Sequence, residues 1–486
     1  MTIPNDLRTP LMYMEFDSSR AFVGPSILRY KNLIIGQRVA GGSRPQLKVD
    51  RITSYDQAVI LYGAGSQISR MFKAWFDNNK TSDVYGVSLD DAGAGVAASG
   101  SFVIGGTASA DGSLVVYIGG ERIAVAVSEG DTATNIGDDL VAALNSRLPV
   151  SGSNSTGTVT ITAKNKGEAG NTIPLLANIN SGEELPAGVT LSINSMSGGA
   201  NNPSIQDAID VIGDEWYNVF CAPFTDATNL SAIETELEDR FGPLRQIDGV
   251  YVTSKRGSLS TLETFGNSRN SKQVICPHSE GTPSSSFEFA AAFAGQLSKE
   301  GQADPARPFQ TLELVNILPP AIEDRFTLTE NNSLLYDGIS TWYVDNGGKV
   351  RIQRAITMYQ TNASGAADIA YLDANTRFTL MFLRFDFNNQ IKTRYPRAKL
   401  ADDGVEVGPG QQVMTPALGK AEAVNIFAGW ERLGLVENAS QFENDLVCVR
   451  SSTDPNRLEW ILPPDLMNQF RIGAVSMQFL LQSPTL

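Results

Sequence analysis

The stretch Tyr217-Asn218-Val219-Phe220-Cys221, then a helical pattern over Leu230 to Phe241, then Gly249-Val250-Tyr251-Val252-Thr253, decides the fold. Two short apolar runs, rich in β-branched and aromatic residues, flank a segment long enough for a helix. That is the pattern of parallel strands buried on both faces. The alternation continues outward. Ser204 is placed to cap a helix over Ile205 to Ile212, Ser258 to Phe265 reads as helix, Gln273 to Cys276 as strand, and Phe287 to Leu297 as an Ala-rich helix. The pattern predicts an α/β sheet covered by helices.

The same grammar appears near the start of the chain. Asn32-Leu33-Ile34-Ile35-Gly36 is a strand, and Val84 to Leu89 is another. Between them Ile68, Met71, Phe72 and Trp75 fall at i, i+3, i+4 and i+7 behind Ser66, a stripe that faces a core with a serine at the N-cap. From Asp91 to about Asn202 the composition shifts to Gly, Ala, Ser, Thr and Asn, which marks an inserted domain. Within it Leu114 to Ile118 and Arg122 to Val127 form a hairpin around Gly119-Gly120, a pair that accepts positive φ. Asp131 or Thr132 caps a helix carrying Ile136, Leu140, Val141 and Leu144, Thr158 to Thr162 alternates as a strand, and Gly198 to Pro203 is a closing linker.

In the last third, Thr341 to Val344 and Val350 to Gln360 flank Asp345-Asn346-Gly347-Gly348, a hairpin signal. Helices follow over about Tyr371 to Tyr395 and Leu418 to Leu433, then a second hairpin of Asp445 to Arg450 and Arg457 to Leu462. Gln469 to Leu481 is strand-like with no partner strand after it. The architecture expected is α/β, α+β overall: a helix-covered mixed sheet with an inserted β-rich domain and extended arms. The divisions are an N-terminal arm (1–30), the first part of the core (31–90), the outer insert (91–202), the α/β core (203–335), a C-terminal domain (336–468) and a C-terminal arm strand (469–486).

Chemistry is sparse. Net charge −15 opposes nucleic-acid binding. No apolar run approaches the roughly 18 residues that span a bilayer, and the first residues carry no secretory pattern, so a cytoplasmic site of synthesis is expected. Cys221, Cys276 and Cys448 are odd in number and scattered, and read as buried reduced thiols. The single histidine, His278, follows Cys276-Pro277 and reads as a surface loop residue beside a buried cysteine rather than a catalytic partner. Gly63-Ala64-Gly65 lacks the rest of a phosphate-binding fingerprint and reads as a tight turn. The carboxylate pairs Asp138-Asp139, Glu183-Glu184, Glu323-Asp324 and Asp402-Asp403 read as solvated charge or caps. No catalytic, cofactor or metal site is expected. Lys392, Arg394, Arg397 and Lys399 stand out at the end of the long helix, either complementing its dipole or meeting an acidic partner.

Several stretches resemble the tail sheath proteins of Mu-like bacteriophages. They are Tyr13-Met14-Glu15-Phe16-Asp17-Ser18-Ser19-Arg20-Ala21 with Leu33 to Arg38, Asp337-Gly338-Ile339-Ser340, Arg354 to Asn362, Tyr395-Pro396-Arg397, Lys399 to Gly404, Asp454 to Leu458 and Leu462 to Asp465. Their order and spacing span the chain. The resemblance implies a virion tail protein assembled in the host cytoplasm, needing no cofactor, that forms stacked hexameric rings around a tail tube and contracts. Baseplate and tail terminator proteins are the further partners implied. Arms exchanged between subunits would add strands to neighbouring sheets, here through Tyr13, Glu15 and Phe16 at one end and Ile472, Val475, Met477, Phe479 and Leu481 at the other. Lys392, Arg394, Arg397 and Lys399 would contact the tube. The competing readings are a cytoplasmic α/β enzyme built on Cys276 and His278 and another virion component such as a baseplate protein.

Overall fold

The computed structural model of the protein describes residues 28–406 and 408–481. Two compact units emerge, one of Arg29–Phe382 with the segment from Leu466, the other built on Leu383–Asp465.

The larger unit opens with β1 (Lys31–Gln37), β2 (Val49–Ile52), α1 (Tyr55–Tyr62), α2 (Gln67–Asn78) and β3 (Asp83–Leu89). Ser66 caps α2 by accepting from the Ser69 N–H, and Ile68, Met71, Phe72 and Trp75 are fully buried, as the stripe predicts. The insert follows: β4 (Ala97–Gly106), β5 (Gly112–Ile118), β6 (Glu121–Val127), α3 (Ala133–Ala143), β7 (Val150–Ser155), β8 (Thr158–Lys166), β9 (Leu175–Ala177) and β10 (Val189–Ser197). Two antiparallel sheets result, ordered β10-β4-β8-β7 and β6-β5-β9. Gly119 (φ +58°) and Gly120 (φ +84°) turn the β5–β6 hairpin, and Thr132 caps α3 in a capping box with Asn135. Chain entry and exit are tied together, since Val96 and Ala200 exchange both backbone hydrogen bonds at 2.9 and 3.1 Å.

After the insert come α4 (Gln206–Ile212), β11 (Val219–Cys221), α5 (Ala227–Phe241), β12 (Val250–Val252), α6 (Leu259–Asn267), β13 (Val274–Ile275), α7 (Ser286–Ala303) and α8 (Leu328–Tyr336). Ile205, not Ser204, occupies the N-cap of α4. The Ser204 hydroxyl instead accepts from the Gln206 N–H two residues on, a local turn rather than a cap. The strands form one six-stranded mixed sheet, β13-β12-β11-β1-β3-β2, parallel except for β2. Leu33, Ile35, Phe220, Tyr251 and Cys276 are fully buried in its core. The sheet is covered on both faces, which is why its strands read as continuous apolar runs.

The next hairpin, β14 (Thr341–Val344) with β15 (Val350–Arg354), packs in the larger unit through bridges at Ser340, Arg351 and Met358. Its second strand ends at Arg354 rather than Gln360, because Ile356 bridges to Asp373 and Met358 to Ser271. The long helix α9 is Ala374–Arg394.

In the smaller unit β16 (Lys399–Leu400) pairs with β17 (Val413–Met414), followed by α10 (Pro416–Arg432), β18 (Val436–Glu437), α11 (Ala439–Asp445), β19 (Val447–Arg450) and β20 (Leu458–Ile461). Thr415 caps α10 ahead of Pro416 at N1. Phe427 stacks on Phe442 at 4.1 Å between ring centres, and the Trp430 indole donates to Asp386 at 2.7 Å.

Candidate assembly surfaces

No helix among the described residues is long and apolar enough to cross a membrane. Tyr13, Glu15 and Phe16, the expected N-terminal exchange residues, lie outside the described residues.

The C-terminal segment is pinned at its base. The Gln469 amide donates to the Ala306 carbonyl at 3.1 Å, the Phe470 carbonyl accepts from Gln310 at 3.2 Å, and Arg471 pairs with Asp373 at 3.0 Å. Beyond that anchor the chain runs exposed and in no strand: Ile472 is 84 % exposed, Val475 87 %, Met477 86 %, Phe479 78 % and Leu481 83 %. Val475, Met477, Phe479 and Leu481 alternate, so an extended conformation puts all four on one face.

The β19–β20 hairpin offers a second apolar surface. Cys448 and Trp460 face α10, where Gly419 leaves room for them: a Cβ there would meet the Cys448 sulfur at 2.7 Å. Val447, Val449 and Ile461 point the other way and are 40 %, 46 % and 63 % exposed. Neither outer edge of the hairpin is paired among the described residues.

Lys392, Arg394, Arg397 and Lys399 are all exposed, with Lys392 and Arg394 in the last turn of α9. The four are not equivalent. Arg394 pairs with Glu422 at 2.5 Å, and the Tyr395 hydroxyl donates to the same carboxylate. Lys399 donates to Gln411 at 2.6 Å.

The residues weighed for catalysis are structural. His278 is not on the surface: it is 2 % exposed, its ring packed 5.1 Å from Trp342 and 5.0 Å from Phe326. Burial, opposed in part by the Asn331 side chain, pushes its pKa down to about 3, so the ring is neutral. Cys221 and Cys276 are buried as expected, but Cys448 is only partly so; desolvation pushes the Cys276 thiol up to about 12 and Cys448 to about 11, and raises Cys221, which keeps all three protonated at neutral pH. The Gly63-Ala64-Gly65 turn is filled by protein, with Lys164 donating to the Ala64 carbonyl and the Leu148 carbonyl against Gly65. Glu183 is not simply solvated. Its carboxylate accepts from Tyr117 at 2.7 Å and Arg122 at 2.8 Å, and despite the desolvation that acts against ionisation these bonds hold its pKa at about 2.

Sequence reasoning missed the clamp that seats the insert on the core. Asn165 accepts from the Gln67 N–H and donates to the Arg38 carbonyl and Asp91, while Gln37 donates to Asp91 and the Lys166 carbonyl. Beside them Arg70, with its side chain 4 % exposed, pairs with Glu288 at 2.6 Å and with Glu121 of the insert hairpin at 2.9 Å.

Comparison with known proteins identifies the family. A sequence model of the phage tail sheath protein central domain matches residues 198–358, and one of the phage tail sheath C-terminal domain matches 366–479. The chain is 39 % identical over 481 residues to the Mu-like prophage FluMu tail sheath protein of Haemophilus influenzae, covering 99 % of both. Among solved structures it shares a fold with a chain of the anti-feeding prophage baseplate (TM-score 0.50, 11 % identity, 98 % of this chain and 100 % of that one). It also resembles a chain of the PVC sheath complex, an extracellular contractile injection system in its contracted state (TM-score 0.50, 9 % identity, 97 % and 98 %). With both models and a full-length relative in agreement, the chain belongs to the phage tail sheath proteins, structural subunits rather than enzymes.

Proposed function

We propose that this protein is the subunit of a contractile sheath that polymerises as stacked hexameric rings around a tail tube, and that it shortens from a metastable extended state to drive the tube through the host envelope. The observation that carries the reading is the tail beyond Arg471, whose alternating apolar side chains are exposed at 78–87 % from Ile472 to Leu481. A free row of this kind is stable in water only until it finds a strand edge to pair with. Ten extended residues reach about 33 Å, enough to enter a neighbouring subunit. The unpaired edges and exposed valines of the β19–β20 hairpin supply an acceptor of matching character. Tyr13, Glu15 and Phe16 would serve the reciprocal exchange from the other end.

Backbone hydrogen bonds between subunits persist while the subunits pivot, so such a mesh shortens without dissociating. Free energy stored during polymerisation drives the change once a barrier is lowered, and no nucleotide is required. The exposed cations Lys392 and Arg397, with Arg394 and Lys399 beside them, are assigned to the tube. Baseplate and tail terminator proteins would bound the polymer, with assembly in the host cytoplasm and function in the virion tail. Negative-stain electron microscopy of the concentrated protein tests the reading: uniform hollow tubes are expected, and a chain ended before Val475 is expected to remain folded and monomeric. Tubes formed normally by that truncated chain would refute the role given to the tail.

A further inference from the structure

A cleft of about 400 Å³ opens between the insert and the carboxyl ends of β11 and β12, lined by Asn171 and Asn202 on one side and by Ser254, Lys255, Arg256 and the first residues of α7 on the other. It lies outside the carboxyl edge of the parallel strands β11 and β12, the edge on which open α/β sheets bind ligands.

Four features of the cleft favour negative charge. α7 is 18 residues long, and its N-cap Ser285 makes no side-chain hydrogen bond to the first turn, so the amino end of the helix dipole is left without a side-chain cap. Ser254 is 4 % exposed and its hydroxyl has no hydrogen-bond partner among the described residues. Arg256 donates from Nη2 to the carbonyls of Thr282 at 2.5 Å and Ser284 at 3.0 Å and to the Thr282 hydroxyl at 3.2 Å, while its Nε has no partner among the described residues. Lys255 donates to the Thr225 hydroxyl at 3.2 Å and lies 5.2 Å from the centre of the Phe265 ring.

Neither cation has a carboxylate within ion-pair distance among the described residues. Glu280, the acidic group nearest in its effect on Arg256, accepts instead from the Gly257 N–H at 2.8 Å. Glu168 is the one carboxylate among the lining residues, and it is exposed. Burial lowers the pKa of Arg256 to about 10, which leaves it charged at neutral pH. Arg256 and Lys255 are half-buried and the Arg256 Nε is fully shielded from water, so an anion entering the cleft would meet cations that are partly desolvated and lack a carboxylate partner among the described residues.

We propose that this cleft is an oxyanion site, in which Lys255 and Arg256 neutralise a phosphate- or carboxylate-sized group while the Ser254 hydroxyl and the α7 amino end donate hydrogen bonds to it. Two sources offer that chemistry: free inorganic phosphate, and an Asp or Glu side chain of a second copy of this chain, whose net charge is −15.

Isothermal titration of the full chain with sodium phosphate, at ionic strength held constant with chloride, tests the site. Saturable binding at one site per chain is expected, weakened at least tenfold in Lys255→Ala and also weakened in Ser254→Ala, with unchanged thermal unfolding showing that both variants fold. No saturable binding, or equal affinity in wild type and both variants, overturns the proposal. Light scattering then separates the sources. If a second copy's carboxylate is the occupant, saturating phosphate slows polymerisation of the wild type and not of Lys255→Ala; if the free ion is the occupant, phosphate binds and polymerisation proceeds at its usual rate.

Discussion

Replacing Arg70 with methionine tests how the core is held together. The Arg70 and Glu288 side chains are 4 % and 7 % exposed, and they meet at 2.6 Å. Removing the cation leaves Glu288 buried without its strongest partner, a situation that costs about 3–5 kcal/mol. For a unit of this size that is a fall in Tm of about 4–6 °C. The pH dependence sharpens the test. Burial already raises the Glu288 pKa, against the pull of Arg70, Lys73 and the hydrogen bond from Arg70. Losing Arg70 raises it further. A carboxyl whose folded pKa lies above its unfolded value destabilises the fold at high pH, and the penalty fades as pH falls through the folded value. The deficit of Arg70→Met is therefore expected to be largest at pH 8 and clearly smaller at pH 5. Urea unfolding followed by tryptophan fluorescence is the assay, since Trp75 on the same helix is fully buried. Adding Glu288→Met should restore most of the loss, because an apolar pair of similar volume removes the stranded charge. A loss below about 1 kcal/mol, or one equal at the two pH values, would refute the reasoning.

Three further outcomes are expected. An unfolded histidine binds its proton below about pH 6.5. His278 in the fold resists protonation down to about 3. Stability should therefore fall with decreasing pH across that window, by up to about 1.4 kcal/mol per unit, and His278→Phe should remove this part of the slope in urea titrations. Gly419→Val would drive a side chain into Cys448 and Leu458, where a Cβ already lies at 2.7 and 3.1 Å. Destabilisation of the smaller unit by about 1–3 kcal/mol is expected, together with lost polymerisation, read by calorimetry and microscopy. Lys392→Glu with Arg397→Glu should weaken co-sedimentation with purified tail tube at low salt more than it weakens self-assembly. Arg394→Glu should harm folding as well, since it sets a like charge against Glu422.

The sheet was legible because its strands are buried on both faces: Val219-Phe220-Cys221 and Val250-Tyr251-Val252 leave no polar alternation to confuse the reading. Helix α2 was equally plain, as its apolar stripe and the Ser66 cap are local signals. Helix α1 escaped notice because it buries only Ala58 and Tyr62 and leaves Ile60 66 % exposed, so it carries no stripe. His278 looked like a loop residue at the surface because what buries it, Trp342 and Phe326, arrives from far along the chain. Arg70 and Glu288 are 218 residues apart, and no pattern in sequence joins them. The residues proposed for assembly rest on the family resemblance and on two local patterns, alternating apolar residues in the tail and clustered cations in an acidic chain, that need no tertiary contact to be seen.

The paired hydrogen bonds of Val96 and Ala200 make the intervening hundred or so residues a cassette. Both ends of the segment meet at one doorway, so its length is not constrained there, while the bonds of Asn165 to Gln67 and of Glu121 to Arg70 tie what lies beyond it to the core. The same doorway is a practical grafting point. A foreign domain whose termini lie close together, spliced between these two residues, would be repeated once per subunit along the whole polymer, turning the particle into a regularly spaced display scaffold.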